Sequence, residues 1–149
     1  MSTLKILTFE NEILHKVCKP VVRFDENLWN LLDDMKQTLL SKEGAGLAAP
    51  QVGVLKRVFI IYVNNDFFEV VNPKIIKTSG TQCEQEGCLS IPGKYAKVTR
   101  PKFVIVEFVD RFGNKITLSG NDFLARAICH ENDHLNGILY TDLLKGKKE

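Results

Sequence analysis

His130-Glu131-Asn132-Asp133-His134 places two of the chain's three histidines four residues apart around a glutamate. On a helix, residues i and i+4 lie one above the other on the same face. Two imidazoles so placed can share one metal ion, and the glutamate beside them stands where a general base toward a metal-activated water is needed. The stretch predicts a helix carrying half of a metal site, and it makes a metal-dependent hydrolase the first function class to test.

The pattern around it supports a helix over Asp122–Leu135. Gly120-Asn121-Asp122 is the start signal and Asn136-Gly137 the stop. Phe123, Ala127, His130 and His134 fall on one stripe, and Leu124, Ile128, Glu131 and Leu135 on the next. The histidines therefore grow out of an apolar face, where scarce water strengthens electrostatics. A catalytic zinc-type site needs three protein ligands and one open position. Residues 135–149 hold no histidine, and their only carboxylates are Asp142 and Glu149, so the third ligand is sought upstream. Cys88, in Glu86-Gly87-Cys88-Leu89-Ser90 ahead of Ile91-Pro92-Gly93, is the candidate: Gly87 permits an unusual backbone and Pro92 stiffens the exit. The rival is a closed structural zinc site using both Cys83 and Cys88, which would leave Glu131 without a task. Cys18 reads as a packed core residue.

Further out, residues 25–40 read as a helix with Asp25 as N-cap and Leu28, Leu31, Leu32, Met35 and Leu39 as its apolar stripe. Residues 44–53 read as an irregular segment rich in small residues. Residues 57–63 and 67–71 read as strands joined by a turn at Asn64-Asn65-Asp66, residues 80–87 as a polar loop, and residues 103–109 and 115–118 as a second hairpin turned by Asp110-Arg111-Phe112-Gly113. Strands in the middle with helices near both ends predict an α+β fold, its antiparallel or mixed β-sheets packed around a C-terminal metal-binding helix, with one N-terminal helix. With 149 residues, no repeats and no linker, residues 1–149 read as a single catalytic domain. A composition of 44% hydrophobic and 26% charged residues is ordinary for a globular chain, and a net charge of +2 gives no case for a membrane or a specific nucleic acid as partner. No apolar run is long enough to span a bilayer and the first residues do not read as a signal peptide. A cytoplasmic, bacterial protein is expected, with a trimmed organellar form as the alternative. There the cysteines serve as buried thiols or metal ligands, not disulfides.

Three segments together resemble the peptide deformylases. The family's marks are a G-Φ-G-Φ-A-A-x-Q segment, an E-G-C-Φ-S segment and an H-E-Φ-D-H segment. This chain has Gly44-Ala45-Gly46-Leu47-Ala48-Ala49-Pro50-Gln51, Glu86-Gly87-Cys88-Leu89-Ser90 and His130-Glu131-Asn132-Asp133-His134, in that order, and the likeness runs over almost its whole length. The resemblance implies that Cys88, His130 and His134 hold one divalent metal ion. It implies Fe2+ natively, with Zn2+, Ni2+ or Co2+ in purified protein. Glu131 becomes the general base. Gln51 and the backbone N–H of Leu89 become oxyanion donors. Gly46, with Ala45 beside it, pairs with the extended substrate, while Phe123 and Ala127 line the methionine side-chain pocket, plain core packing being the alternative for both. The implied reaction removes the N-formyl group from the N-terminal formyl-methionine of nascent polypeptides and releases formate. Asp133 is expected to pair with Arg100 and orient the helix, two solvated surface charges being the alternative.

Asn132 stands where the family usually has an apolar residue, and Ala45 is smaller than the usual branched one. The tail Lys145-Gly146-Lys147-Lys148-Glu149 is short and basic, which leaves a transient ribosome contact as a possible partner interaction beside a plain solvated terminus. Two other classes stand against an active deformylase. A different metallohydrolase such as a peptidase lacks its downstream ligand, and a catalytically silent metal-binding relative has no need for Gln51, Cys88 and Glu131 together.

Overall fold

The computed structural model describes residues 2–144; the basic tail lies outside the described residues. The first helix, α1 (Glu26–Ser41), starts where its N-cap predicts, with the Asp25 side chain accepting from the Asn27 N–H at 3.2 Å. The second, α2 (Asp122–Leu135), has the boundaries its sequence predicts. Its start has a different cause from the one expected: Asn121 makes no side-chain cap bond, Asp122 has φ +54°, and the Asp122 N–H bonds to the Lys102 carbonyl. At its end, the Gly137 N–H (φ +74°) reaches the His134 carbonyl and the Ile138 N–H that of Asp133, satisfying carbonyls left open by the last turn.

Seven strands follow, all paired antiparallel: β1 (Gly46–Ala48), β2 (Val58–Val63), β3 (Asp66–Ser79), β4 (Gln82–Cys88), β5 (Ile91–Arg100), β6 (Phe103–Val109) and β7 (Lys115–Asn121). Five form one sheet in the order β1-β2-β3-β6-β7; β4 and β5 form a separate two-stranded sheet. The β2–β3 turn is the two-residue loop Asn64-Asn65 with both φ values positive, the mirror-image turn that suits strand twist.

Several strand expectations need correction. Residues 80–87 are mostly not a loop, since residues 82–88 form β4. Two strands run longer than predicted, β3 to Ser79 and β7 to Asn121, and a short strand, β1, lies inside the segment expected to be irregular. β3 continues because bulges let it bend and re-pair with β6 beyond Val71.

The α1 stripe packs on one face of the large sheet, through Leu28, Leu32, Met35 and Leu39 against Leu47, Val58, Ile60 and Val71. The opposite face, through Ala48, Phe59, Ile61, Val70 and Val104, packs on α2. β2 is thus buried on both sides, which explains its continuous apolar run. The β4–β5 hairpin covers the far side of α2, with Ile91 and Val98 packed against Leu14, Leu139 and Tyr140. The helix bearing the histidines is consequently central, and it is buried almost all round from Ala125 to Glu131, not along a single stripe.

Candidate metal centre

α2 brings His130 and His134 to the same side, and the tight turn between β4 and β5 carries Cys88 over them. One ligand atom from each residue lies within 4.8 Å of the other two. Cys88 Sγ is 3.4 Å from His134 Nε2; two ligands of one tetrahedral ion, with metal–sulfur and metal–nitrogen bonds of ordinary length, would sit about 3.5 Å apart. His130 Nδ1 is occupied by Glu86 Oε1 at 2.6 Å, which leaves Nε2 for the centre. Burial holds the His134 pKa well below its ordinary value, so its imidazole is neutral and its lone pair is available. One cysteine sulfur and two histidine ring nitrogens are a fitting donor set for a borderline divalent ion. The four cysteines are all unbridged. Cys83 is exposed, and five residue steps of strand set it roughly 16 Å from Cys88, so the paired-cysteine zinc site is excluded.

Glu131 is 5% exposed and lies beside the backbone of Gly46 in β1, where a β-carbon would come within 2.5 Å of its Oε2. Its Oε1 is buried with no hydrogen-bond partner among the described residues. Burial pushes its pKa up to about 7, despite the opposing effect of His130. A carboxyl group poised there can take up and give back a proton near neutrality. Gln51 is fixed at both ends of its amide: Oε1 accepts from the Ala48 N–H at 2.9 Å, while Nε2 donates to Ser90 Oγ at 3.0 Å and sits 3.5 Å from Cys88 Sγ. Its donor end therefore adjoins the ligand sulfur. A cleft of about 720 Å³ opens onto the cluster. Ala45, Gly46, Leu89, Phe123 and Ala127 all line it, with Phe123 half exposed and Ala127 buried.

Two residues to which the sequence reading gave no role, Glu86 and Arg126, underlie this geometry. Glu86 accepts from Arg100 Nη2 at 2.6 Å, Arg100 Nε at 3.1 Å and Arg126 Nη1, besides holding His130. Burial alone would raise its pKa, but the hydrogen bonds from His130 and Arg100 outweigh burial and bring it down to about 2. The expected Arg100–Asp133 pair is present at 2.6 Å; Arg100 is buried, so the pair is not a surface one. Two spacings carried the missing signal. Glu86 is two residues before Cys88, on the same face of the strand, and Arg126 is four before His130, on the same face of the helix.

A Cys-His-His cluster on a central helix and a strand turn, with a buried glutamate against a sheet edge, defines a metal-dependent hydrolase. The polypeptide deformylase family model matches residues 3–149. The peptide deformylase of Caldicellulosiruptor bescii is 51% identical over 142 residues, covering 95% of this chain and 86% of that protein. Peptide deformylase 2 of Clostridium acetobutylicum is 50% identical, with 97% of each chain covered. The crystal structure of a peptide deformylase from Legionella pneumophila superposes with a TM-score of 0.94 at 41% identity, covering 97% of this chain and 87% of that one. This chain belongs to the polypeptide deformylase family. It is an enzyme that removes the N-formyl group from newly made polypeptides.

Proposed function

We propose that Cys88, His130 and His134 hold one divalent ion and that Glu131, Gln51 and the Leu89 N–H carry the deformylation around it. The observation that carries this reading is the convergence of the three ligand atoms within 4.8 Å beside a buried, half-unpartnered Glu131. The ion supplies Lewis acidity, acidifying water and polarising the formyl oxygen. The formylated peptide lies extended along the open edge of β1, pairing with the backbone at Gly46, and Ala45, Phe123 and Ala127 receive the methionine side chain. Glu131 takes a proton from water as the oxygen adds to the formyl carbon. Gln51 Nε2 and the Leu89 N–H donate to the resulting oxyanion. Glu131 then delivers the proton to the amine nitrogen as the C–N bond breaks, releasing formate and a free N-terminus. The native ion is ferrous iron; stronger-binding ions such as nickel or zinc displace it on purification because affinity, not geometry, favours them. The enzyme acts in the cytoplasm.

Protein loaded with ferrous or nickel ion under reducing conditions is expected to release formate from a formyl-Met peptide and to process the acetylated analogue far more slowly. Glu131→Ala should keep its metal and lose nearly all turnover. Absence of formate release by folded, fully metallated protein would refute the assignment.

A further inference from the structure

The cleft extends well beyond the metal ligands, and its outer part has one sign of charge. Among the described residues, Glu86 and Glu131 are the only carboxylate residues lining it, and both are buried; Glu86 is already matched by Arg100 and Arg126. At the mouth stand Lys5, Lys42 and Lys94, all exposed. None of the three pairs with a carboxylate among the described residues; Lys94 Nζ lies over the Phe9 ring at 5.6 Å instead. The chain as a whole is only +2, so this is a local arrangement and not a consequence of overall charge.

The lysines come from three separate parts of the chain, and all line the cleft that opens onto the cluster. A peptide that pairs with the backbone at Gly46 and runs on toward Gly44 would advance roughly 3.3 Å per residue, toward the segment that carries Lys42, while Lys94 lines the same cleft from the β4–β5 hairpin. A formylated N-terminus has no charge, so the only charges such a peptide brings are its side chains and its C-terminal carboxylate.

We propose that Lys5, Lys42 and Lys94 form a specificity collar that favours carboxylate side chains at the second to fourth residues of the formylated peptide. The inference rests on the deformylase reading of the site. Exposed ion pairs are individually weak and screened by salt, but complementary charge accelerates encounter and biases selection.

The test compares three C-terminally amidated peptides, formyl-Met followed by alanines, with Asp, Ala or Lys at residues three and four. At low ionic strength, kcat/KM should fall in the order Asp, Ala, Lys, with roughly threefold to tenfold between the first two. The spread should collapse in about 0.5 M salt, and in Lys42→Glu/Lys94→Glu protein the order should reverse. Turnover of the alanine peptide by the unaltered enzyme reports on the deformylase reading separately, and its absence would sink that reading, not this one alone. Equal rates for the three peptides at low salt, or a preference that neither salt nor charge reversal changes, would overturn the collar. The same three peptides with free C-termini complete the set, and a gain seen only with those would also overturn the collar, since a chain end would then be recognised instead of acidic side chains.

Discussion

Gly46 is a glycine because the Glu131 carboxylate occupies the place its side chain would take: a β-carbon there would meet Oε2 at 2.5 Å and Cδ at 2.9 Å. The obstructing atoms are the end of a rotatable side chain, so Gly46→Ala should fold and bind metal normally while pushing the carboxylate out of position. Displacement of a catalytic group by about an ångström costs roughly 10²-fold; kcat/KM should fall by that order with metal content unchanged, and a near-normal rate would mean that Glu131 does not act from this place. Gly87 offers a contrast. A β-carbon there would meet the Tyr95 ring at 2.6 Å, but Tyr95 is 70% exposed and free to swing aside, so Gly87→Ala should cost far less. The cysteines separate on the same scale. Burial pushes the thiols of Cys18 and Cys129 up to about 11, so at pH 8 almost none of either is thiolate and neither is reachable, whereas Cys83 is exposed. Peptide mapping after brief iodoacetamide treatment should find Cys83 modified well before Cys18 or Cys129; comparable labelling would show that the packing around the two buried thiols opens readily.

Glu86 joins two elements that share few apolar contacts, the β4–β5 hairpin and α2, by taking Arg100, Arg126 and His130 onto one carboxylate. Glu86→Ala leaves two buried guanidinium groups without that partner, a change that costs on the order of 3–5 kcal/mol. It also frees the ring of a metal ligand, and loss of such a support weakens metal binding roughly 10- to 100-fold. Urea denaturation and chelator competition should register both losses, and an unchanged metal affinity would show that His130 is oriented without Glu86. The same elements mark where the sequence could be read and where it could not. α1 and α2 were legible because a 3.6-residue period and terminal signals agree. β4 was not: Gln82-Cys83-Glu84-Gln85-Glu86-Gly87-Cys88 has no apolar alternation, since only Glu86 is fully buried and what it buries is charge. β1 was hidden because three residues, two of them small, carry too little pattern. The metal cluster was legible nonetheless, because i,i+4 spacing is a local property of the helix; its supporting carboxylate depends on a strand pairing that no local pattern announced.

Across the whole molecule the three proposed metal ligands come from opposite sides of one boundary, two from the helix that packs on the large sheet and one from the hairpin that covers it. A bound ion therefore clasps the hairpin to the rest of the fold. It is not needed to form either part. Separate apolar clusters hold α1 and α2 to the two faces of the large sheet, the hairpin has its own cluster around Ile91, Val98 and Tyr140, and the Arg100–Asp133 and Glu86–Arg126 ion pairs cross the same boundary. Chelated protein should accordingly keep its far-ultraviolet circular dichroism and lose only the binding contribution to stability. That contribution is RT ln(1 + [L]/Kd), about 2.7 kcal/mol when free metal is 100-fold above Kd. For a chain of this size each kcal/mol moves Tm by roughly 2–4 °C, so removing the ion should lower Tm by about 5–10 °C, and the loss should shrink as the competing free metal is reduced toward Kd. Loss of most secondary structure on chelation would show instead that the clusters cannot stand alone and that the ion organises the fold, as it does in small metal-dependent modules.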